Sequence, residues 1–519
     1  MAHNVPRKKA ATDASPLRSL LPDVIQHIAT FIPETHSFFA FLRAFQATNS
    51  LGDLQVLYDL SLACDDTYDA LSVRMRRHDL WPKLRLPTVD ATSAPSLQRV
   101  TKYFRTIHMQ NPAEDVALIR MLLGPQNDLA VHECIDEKPT PEALKKWYAD
   151  LATLPITHLG FTEMEHSIPS DKGKYMVDIL PRLDSLRSLN LIDVEGAHLS
   201  KAIKYVRTST LTRLSIGYEH TEEPMHLTDT MVRDIAHWLS SNRVESFRLS
   251  HCTFDEGEDA MQAFFHAVFL SEIESVELDL LSLSAIEFCE FVRPIQVSSL
   301  VLSRISMYPD EAEILFEALR ESKITTLEFS QFYSTQDGFK ALGEALPLAK
   351  ELQSLTFVMT NVGDAGCDMV AAALPSIPHL TKLTLHECCI SDAGVALLAN
   401  VMLDGGMPLR SLHLTNNLIG FAGAVGLVQC LGLRPSGFDD LMVTGIETTE
   451  ALETTLKHMA NMLPGLKRCK LAVQRSDCGI ADQLEKNTLN EYWRTYMQFR
   501  DIATRPQRRT IADTLSTDT

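Results

Sequence analysis

A short phrase, apolar-x-x-apolar-x-apolar, recurs along most of the chain and leaves few folds open to it. It reads Ile156-Thr-His-Leu159-Gly-Phe161, then Leu186-Arg-Ser-Leu189-Asn-Leu191, then Leu211-Thr-Arg-Leu214-Ser-Ile216. Further copies begin at Val244, Ile273, Val297, Ile324, Leu352, Leu380, Leu409, Phe438 and Leu466, giving twelve at gaps of 24 to 33 residues. The last two apolar positions of each copy are two apart, the strand period, so both point into one core. Between copies the apolar spacing becomes helical, as in Ala312, Leu315, Phe316 and Leu319 or in Val395, Leu398, Ala399 and Met402. A single strand plus helix cannot bury its own apolar face, so neighbouring copies must stack. Strands stack at ~4.8 Å, whereas helices with side chains need ~10 Å. The prediction is therefore an α/β solenoid, a right-handed βα horseshoe with a parallel sheet on its concave wall.

Helix starts carry Asp-x-x-Gly or Asp-Ala-Gly, as in Gly363-Asp364-Ala365-Gly366 and Ser391-Asp392-Ala393-Gly394. Three positions after the last strand residue stand Cys252, Thr360, Cys388 and Asn417, alongside Val194, Leu281, Ile305 and Phe332. With linkers near 28 residues, this pattern resembles the ribonuclease-inhibitor-like leucine-rich repeats over about Leu144–Val473, most cleanly from Ile324 to Leu433. The expected organisation is a disordered tail at 1–16, a helical region at 17–100 and a helical connector at 101–143. The repeats follow at 144–473, then a capping helix at 474–503 built on Trp493, Tyr496 and Phe499, and a second tail at 504–519.

Ahead of the repeats, Leu21-Pro22-Asp23-Val24-Ile25-Gln26-His27-Ile28 opens a helix whose proline suits the first turn. Pro33 ends it, and Phe38, Phe39, Phe41, Leu42 and Phe45 form a second apolar helix. The Leu-Pro start, the Ile-centred helix and the Phe-Ile-Pro break resemble the first half of an F-box. That resemblance implies a substrate receptor which holds the adaptor of a cullin-type ubiquitin ligase through Leu21, Pro22, Ile25, Ile28, Phe38, Phe41 and Leu42. The spacing after Pro22 is one residue short of the family pattern, and Leu42-Arg43-Ala44-Phe45-Gln46 replaces the expected Val-Cys-x-x-Trp ending. The same helix pair is equally suited to capping the open end of a solenoid, and a scaffold without a ligase link stays open as the alternative.

On each strand, residues between the inward apolar pair face the groove. Arg213, Arg248, Glu277, Asp279, Glu328, Thr356, Lys382, His386, His413 and Met442 are the candidate partner-binding set. They make a wall that is acidic around Glu277–Glu328 and basic or His-bearing around Lys382–His413, which suits a protein partner with mixed charge. The formal charge of −19 argues against nucleic acid. No apolar run reaches membrane-spanning length, since the longest, Leu418 to Leu433, is short and contains Gln429. Ten cysteines without a Cys-x-x-Cys pair read as reduced, buried thiols of an intracellular protein. A cytoplasmic location follows, with nuclear import at the basic clusters Arg7–Lys9 or Arg505–Arg509 as the variant.

Chemistry finds no foothold in the sequence. Gly173-Lys174 has Ile168 where a phosphate loop needs its first glycine, and neither Gly-x-Ser-x-Gly nor His-Glu-x-x-His occurs. In His386-Glu387-Cys388-Cys389, strand geometry sends His386 to the groove and Cys388 into the turn core, so the two diverge. The reading is a non-enzyme without metal or cofactor.

Overall fold

The computed structural model describes residues 21–474 except 63, 65–75, 87–88, 90, 111–114, 135–139, 163–171, 195, 219–223, 256, 280–294, 308–313, 316, 335, 404–406, 435, 448–449 and 464. The expected capping helix at 474–503, apart from Gln474, both expected tails, and Ala312, Phe316, Leu281, Cys289 and Cys478 lie outside these residues. The chain forms two compact units, Met1–Tyr205 and Val206–Thr519.

The first unit opens with helices Pro22–Thr30 and Thr35–Phe45, separated by Pro33, then Leu54–Leu62. Phe38 and Trp81 stack at 4.1 Å, and the Trp81 indole donates to the Ile32 carbonyl at 2.6 Å. Five parallel strands follow: Leu84–Leu86, Thr106–Met109, Asp128–Val131, Ile156–Thr162 and Ser188–Ile192. Helices Ala94–Thr101, Val116–Leu122, Pro141–Leu151 and Lys172–Ile179 lie between them.

This corrects the expectation of helix alone through 17–100 and 101–143. The repeat phrase is present there, as Trp81-x-x-Leu84-x-Leu86 and Phe104-x-x-Ile107-x-Met109, with Leu84, Leu86, Ile107 and Met109 all buried. These copies stand only 23 residues apart. Their helices are short, eight residues in Ala94–Thr101 and seven in Val116–Leu122, which is why a search at 24 to 33 passes over them.

The second unit repeats the unit of strand and helix with greater regularity. Ten parallel strands run in order: Arg213–Gly217, Ser246–Ser250, Ser275–Asp279, Ser299–Ser303, Thr326–Ser330, Ser354–Val358, Lys382–His386, Ser411–Thr415, Asp440–Glu447 and Cys469–Gln474. Register is kept from strand to strand, so Leu327 pairs with Leu355, Leu355 with Leu383 and Leu383 with Leu412. The inward pairs, such as Phe247/Leu249, Leu327/Phe329 and Leu412/Leu414, are all buried. Helices Asp229–Ser241, Gln336–Ala345, Gly363–Ala373, Asp392–Met402 and Phe421–Gly432 cover this inward side. The strand–helix alternation is that of leucine-rich repeats.

Two details lock one repeat to the next. Asn417 is 5% exposed; its Oδ1 accepts from the Cys388 and Ile390 amides (2.9 and 3.2 Å) and its Nδ2 donates to the Leu385 carbonyl (2.8 Å). It thereby satisfies backbone groups of the preceding turn that burial would otherwise leave unpaired. Second, the Asp364 carboxylate accepts from the Ser391 and Gly394 amides (2.8 and 3.0 Å), and Asp392 accepts from the Gly420 amide (2.7 Å). The acid at one helix start thus caps the next helix start. A Cβ at Gly394 would sit 2.5 Å from Asp364 Oδ1, which explains the glycine in the Asp-Ala-Gly signature.

Candidate protein-binding face

With the helices on one side, each unit presents the other side of its strands openly. In the second unit, register sorts this open face into rows. The central row runs Ser215, Arg248, Glu277, Val301, Glu328, Thr356, Thr384, His413 and Met442, each opposite the next. A flanking row runs Arg213, Ser246, Ser275, Ser299, Thr326, Ser354, Lys382, Ser411 and Asp440. The middle of the face is thus a run of small hydroxyls beside Glu277 and Glu328.

Strand alternation places Arg213, Arg248, Glu277, Glu328, Thr356, Lys382, His386, His413 and Met442 on this face, each exposed or half-buried. Several are already engaged. Arg213 bonds Glu245 at 2.9 Å, Arg248 bonds Glu277 at 3.0 Å, and His413 meets Asp440 at 3.2 Å. His386 contacts Thr415 Oγ1 at 2.5 Å and lies 3.2 Å from Glu387. Glu328 makes no hydrogen bond or ion pair among the described residues. Burial first, and then the nearby Glu277 charge, push its carboxyl above the usual range, with Lys382 opposing.

Asp279 departs from expectation. It is 9% exposed, ion-paired with Arg304 and bonded by Ser250 Oγ at 3.1 Å, so its charge is spent within the face. Arg304 escaped sequence reasoning because it lies past the strand, at a corner with φ 54° rather than at an alternating position. The equivalent corner residues His251, Gln331, Met359, Glu387 and Asn416 also have positive φ.

The suspected ligand run separates as strand geometry requires, with His386 on the open face and Cys388 fully buried. His386 sits opposite Thr415 and His413 opposite Thr384. Among the described residues no group of three or more His, Cys, Asp or Glu could hold a metal ion. Burial pushes the Cys367, Cys388 and Cys430 thiols up to about 12, so they pack as apolar groups. Cys389 is exposed, contrary to the expectation of uniformly buried thiols. No helix among the described residues is long and apolar enough to cross a membrane.

The adaptor-docking set splits between the two sides of its helices. Ile25, Phe38 and Leu42 are buried core residues at 1%, 0% and 0% exposure, which removes them from any docking surface. Val24 and Phe31 share an outward apolar stripe with Leu21 and Ile28, at exposures of 40 to 72%. Pro22 is also exposed, and Phe41 is half-buried.

The open face of the first unit carries a different set, which the sequence reading did not single out. Arg85 is in register with His108, His108 with Ala130, Ala130 with His158 and His158 with Ser188. His132 follows its strand directly and inserts its ring between the other two imidazoles, at 5.3 Å from His108 and 4.8 Å from His158. The signal was available as His at a groove position in successive copies, but two of those copies were not recognised.

Comparison with known proteins bears on the repeats. No family model matches the chain. It is 23% identical to "NACHT, LRR and PYD domains-containing protein 5" of Bos taurus over 380 residues, 70% of this chain and 33% of that protein. It is 26% identical to the ribonuclease inhibitor of Mus musculus over 196 residues, 37% of this chain and 42% of the inhibitor. For the ribonuclease inhibitor of Sus scrofa the values are 30% over 150 residues, 28% and 32%. The chain therefore spans 32% to 42% of these relatives' lengths. Among solved structures, the leucine-rich-repeat-containing protein LegL7 of Legionella pneumophila aligns with 58% of this chain and 90% of its own, at 15% identity and a TM-score of 0.32.

Proposed function

We propose that the chain is a non-enzymatic interaction protein that holds a protein partner across the open face of its second unit. The observation that carries this is the face itself, where ten in-register strands offer exposed side chains of both signs while the opposite side is core. Ribonuclease inhibitors, to which part of the chain is similar, are named for inhibiting another protein. We assign partner contact to Arg213, Arg248, Glu277, Glu328, Thr356, Lys382, His386, His413 and Met442; Asp279 serves to hold Arg304. Neither nucleic acid nor membrane is part of this reading, and the thiol chemistry suits a cytoplasmic setting. The test is affinity capture with the full chain and with a triple charge reversal at Arg248, Glu328 and Lys382. Partners lost by the folded variant support the assignment, and an unchanged capture profile ends it.

A second reading is favoured by the outward stripe of Leu21, Val24, Ile28 and Phe31, an apolar face on an exposed helix. It suits an F-box-like role, in which this helix docks the adaptor of a cullin-type ubiquitin ligase and the repeats hold the substrate. Full-length chain co-expressed with the adaptor decides it. Retention that Ile28→Asp and Phe31→Asp abolish supports the receptor. No retention by the unaltered chain leaves the helix pair as a cap on the repeats.

A further inference from the structure

Within the first unit, the histidine stack has a specific construction. Ala130, the residue in register between His108 and His158, has a side chain too small to fill its row, and the His132 ring lies over it against both neighbours. His108 Nδ1 and His132 Nε2 are 3.0 Å apart, close enough to share one proton, and His158 Nδ1 meets Ser188 Oγ at 2.7 Å. The His132 amide donates to the Met109 carbonyl at 2.9 Å, which pins the chain below the ring. Gly160 on the next strand is what admits this path, since a Cβ there would lie 2.0 Å from the His132 carbonyl oxygen.

The charged surroundings are one-sided. Arg85 on the neighbouring strand and Lys83 just before that strand flank the stack, both exposed, and neither forms an ion pair among the described residues. Asp128, on the strand that precedes His132, is taken up by Arg105 at 3.5 Å. Glu133 beside His132 is exposed to solvent. A chain with formal charge −19 thus assembles three imidazoles and two cations that form no ion pair among the described residues on a single face.

We propose that Lys83, Arg85, His108, His132 and His158 form a docking face for an acidic peptide segment of a protein partner, and that docking is coupled to proton uptake by the histidine stack. Four strands at ~4.8 Å spacing give a face roughly 14 Å wide, room for a few carboxylates and little more. In the free protein, burial chiefly, then His132, Arg85 and Lys83, lower the His108 imidazole to about 4. Burial and the same two cations also lower His132. Partner carboxylates over the stack oppose the contribution of the cations and favour imidazolium. Protons are then bound with the ligand, so affinity rises as pH falls from neutral. This face is made of other residues than the mixed-charge one assigned to partner binding above, and the two proposals stand or fall independently.

The test uses the full chain with a fluorescein-labelled hexaglutamate peptide, read by anisotropy at low ionic strength at pH 7.5 and pH 5.5. The expectation is binding at least about tenfold tighter at the lower pH, which by linkage corresponds to roughly one proton taken up over part of that interval. Lys83→Glu with Arg85→Glu, both surface positions, weakens binding about tenfold or more at both pH values. His132→Asn removes the pH dependence, with a thermal melt to verify that the variant is folded. If it is not, the ring resonances of the three histidines in the unaltered chain report instead, and saturating peptide raises the titration midpoint of His108. Binding no better than to hexaglutamine overturns the proposal. So does equal affinity at both pH values, a midpoint unmoved by peptide, or tighter binding to oligouridylate than to hexaglutamate.

Discussion

The open faces of the two units are built on the same kind of scaffold and carry different chemistry: the first gathers cations and imidazoles, and the second mixes charges of both signs. In the first unit the groove positions hold Arg85, His108 and His158, with His132 inserted and Lys83 alongside. In the second they mix Glu277 and Glu328 with Arg213, Arg248, Lys382 and His413, amid Ser246, Ser275, Ser299, Thr326 and Ser354. Nothing in the fold prefers one set, because alternation only requires that the inward residues be apolar. Recognition chemistry in a stacked repeat is written at positions to which folding is nearly indifferent, and two stretches of one chain can carry different charge patterns.

Four measurements bear on that contrast. The largest effect belongs to the inward residues, where the units should behave alike. Phe329→Ala, in a side chain 1% exposed and stacked on Phe357 at 5.4 Å, is expected to cost about 3–5 kcal/mol, read from urea unfolding. A cost below about 1 kcal/mol would mean the inward rows do not hold the stack. Next comes the turn slot, which polar Asn417 fills in the second unit and apolar Val194 in the first. Asn417→Ala should cost about 2–3 kcal/mol by orphaning the Cys388 and Ile390 amides, whereas Val194→Ala in the first unit, with no polar group to orphan, should cost about half as much.

The third measurement tests the sign of the pH response. His108 and His132 are lowered in the folded protein, so the unfolded chain binds more protons below about pH 6.5. The stability of the first unit is therefore intact at neutral pH and declines as pH falls from there toward 4. After allowance for solvent screening, the loss should be about 1–2 kcal/mol, and amide exchange in the Thr106–Met109 strand would show it. Glu328 has the reverse sign. Its carboxyl is raised, so acidification relieves the second unit as pH falls through the raised value. The smallest effect follows: Glu328→Gln at pH 7 should stabilise the second unit by under about 1 kcal/mol, visible as a slight upward shift in its melting temperature. Destabilisation by that change would show Glu328 to have a partner in the free protein.

How far the sequence discloses this molecule depends on which residues the fold compels. The inward pairs from Leu189/Leu191 to Leu441/Val443 are compelled, and all are buried as their two-residue spacing implies. The copies at Leu84/Leu86 and Ile107/Met109 obey the same rule but follow shorter helices, so period alone concealed them. At the N-terminal helices, apolar composition could not tell inside from outside: Ile25 and Ile28 belong to one helix, yet one is core and the other exposed. On the groove, orientation was legible but engagement was not. Asp279 and Glu277 look alike in sequence, and only the placement of Arg304 at a turn shows that Asp279 is fully occupied. The histidine stack needs both a register and the Gly160 notch, which are properties of neighbouring strands rather than of any one segment.

The relay of aspartates between helix starts makes the length of the second unit adjustable in whole steps. Asp364 and Asp392 stand 28 residues apart and perform the same task for the helix that follows each of them. Excising 365–392 would hand the Gly420 amide to Asp364 in place of Asp392. A shortened molecule would then close over the gap with its contacts re-formed, missing one rung of the groove and keeping the rest.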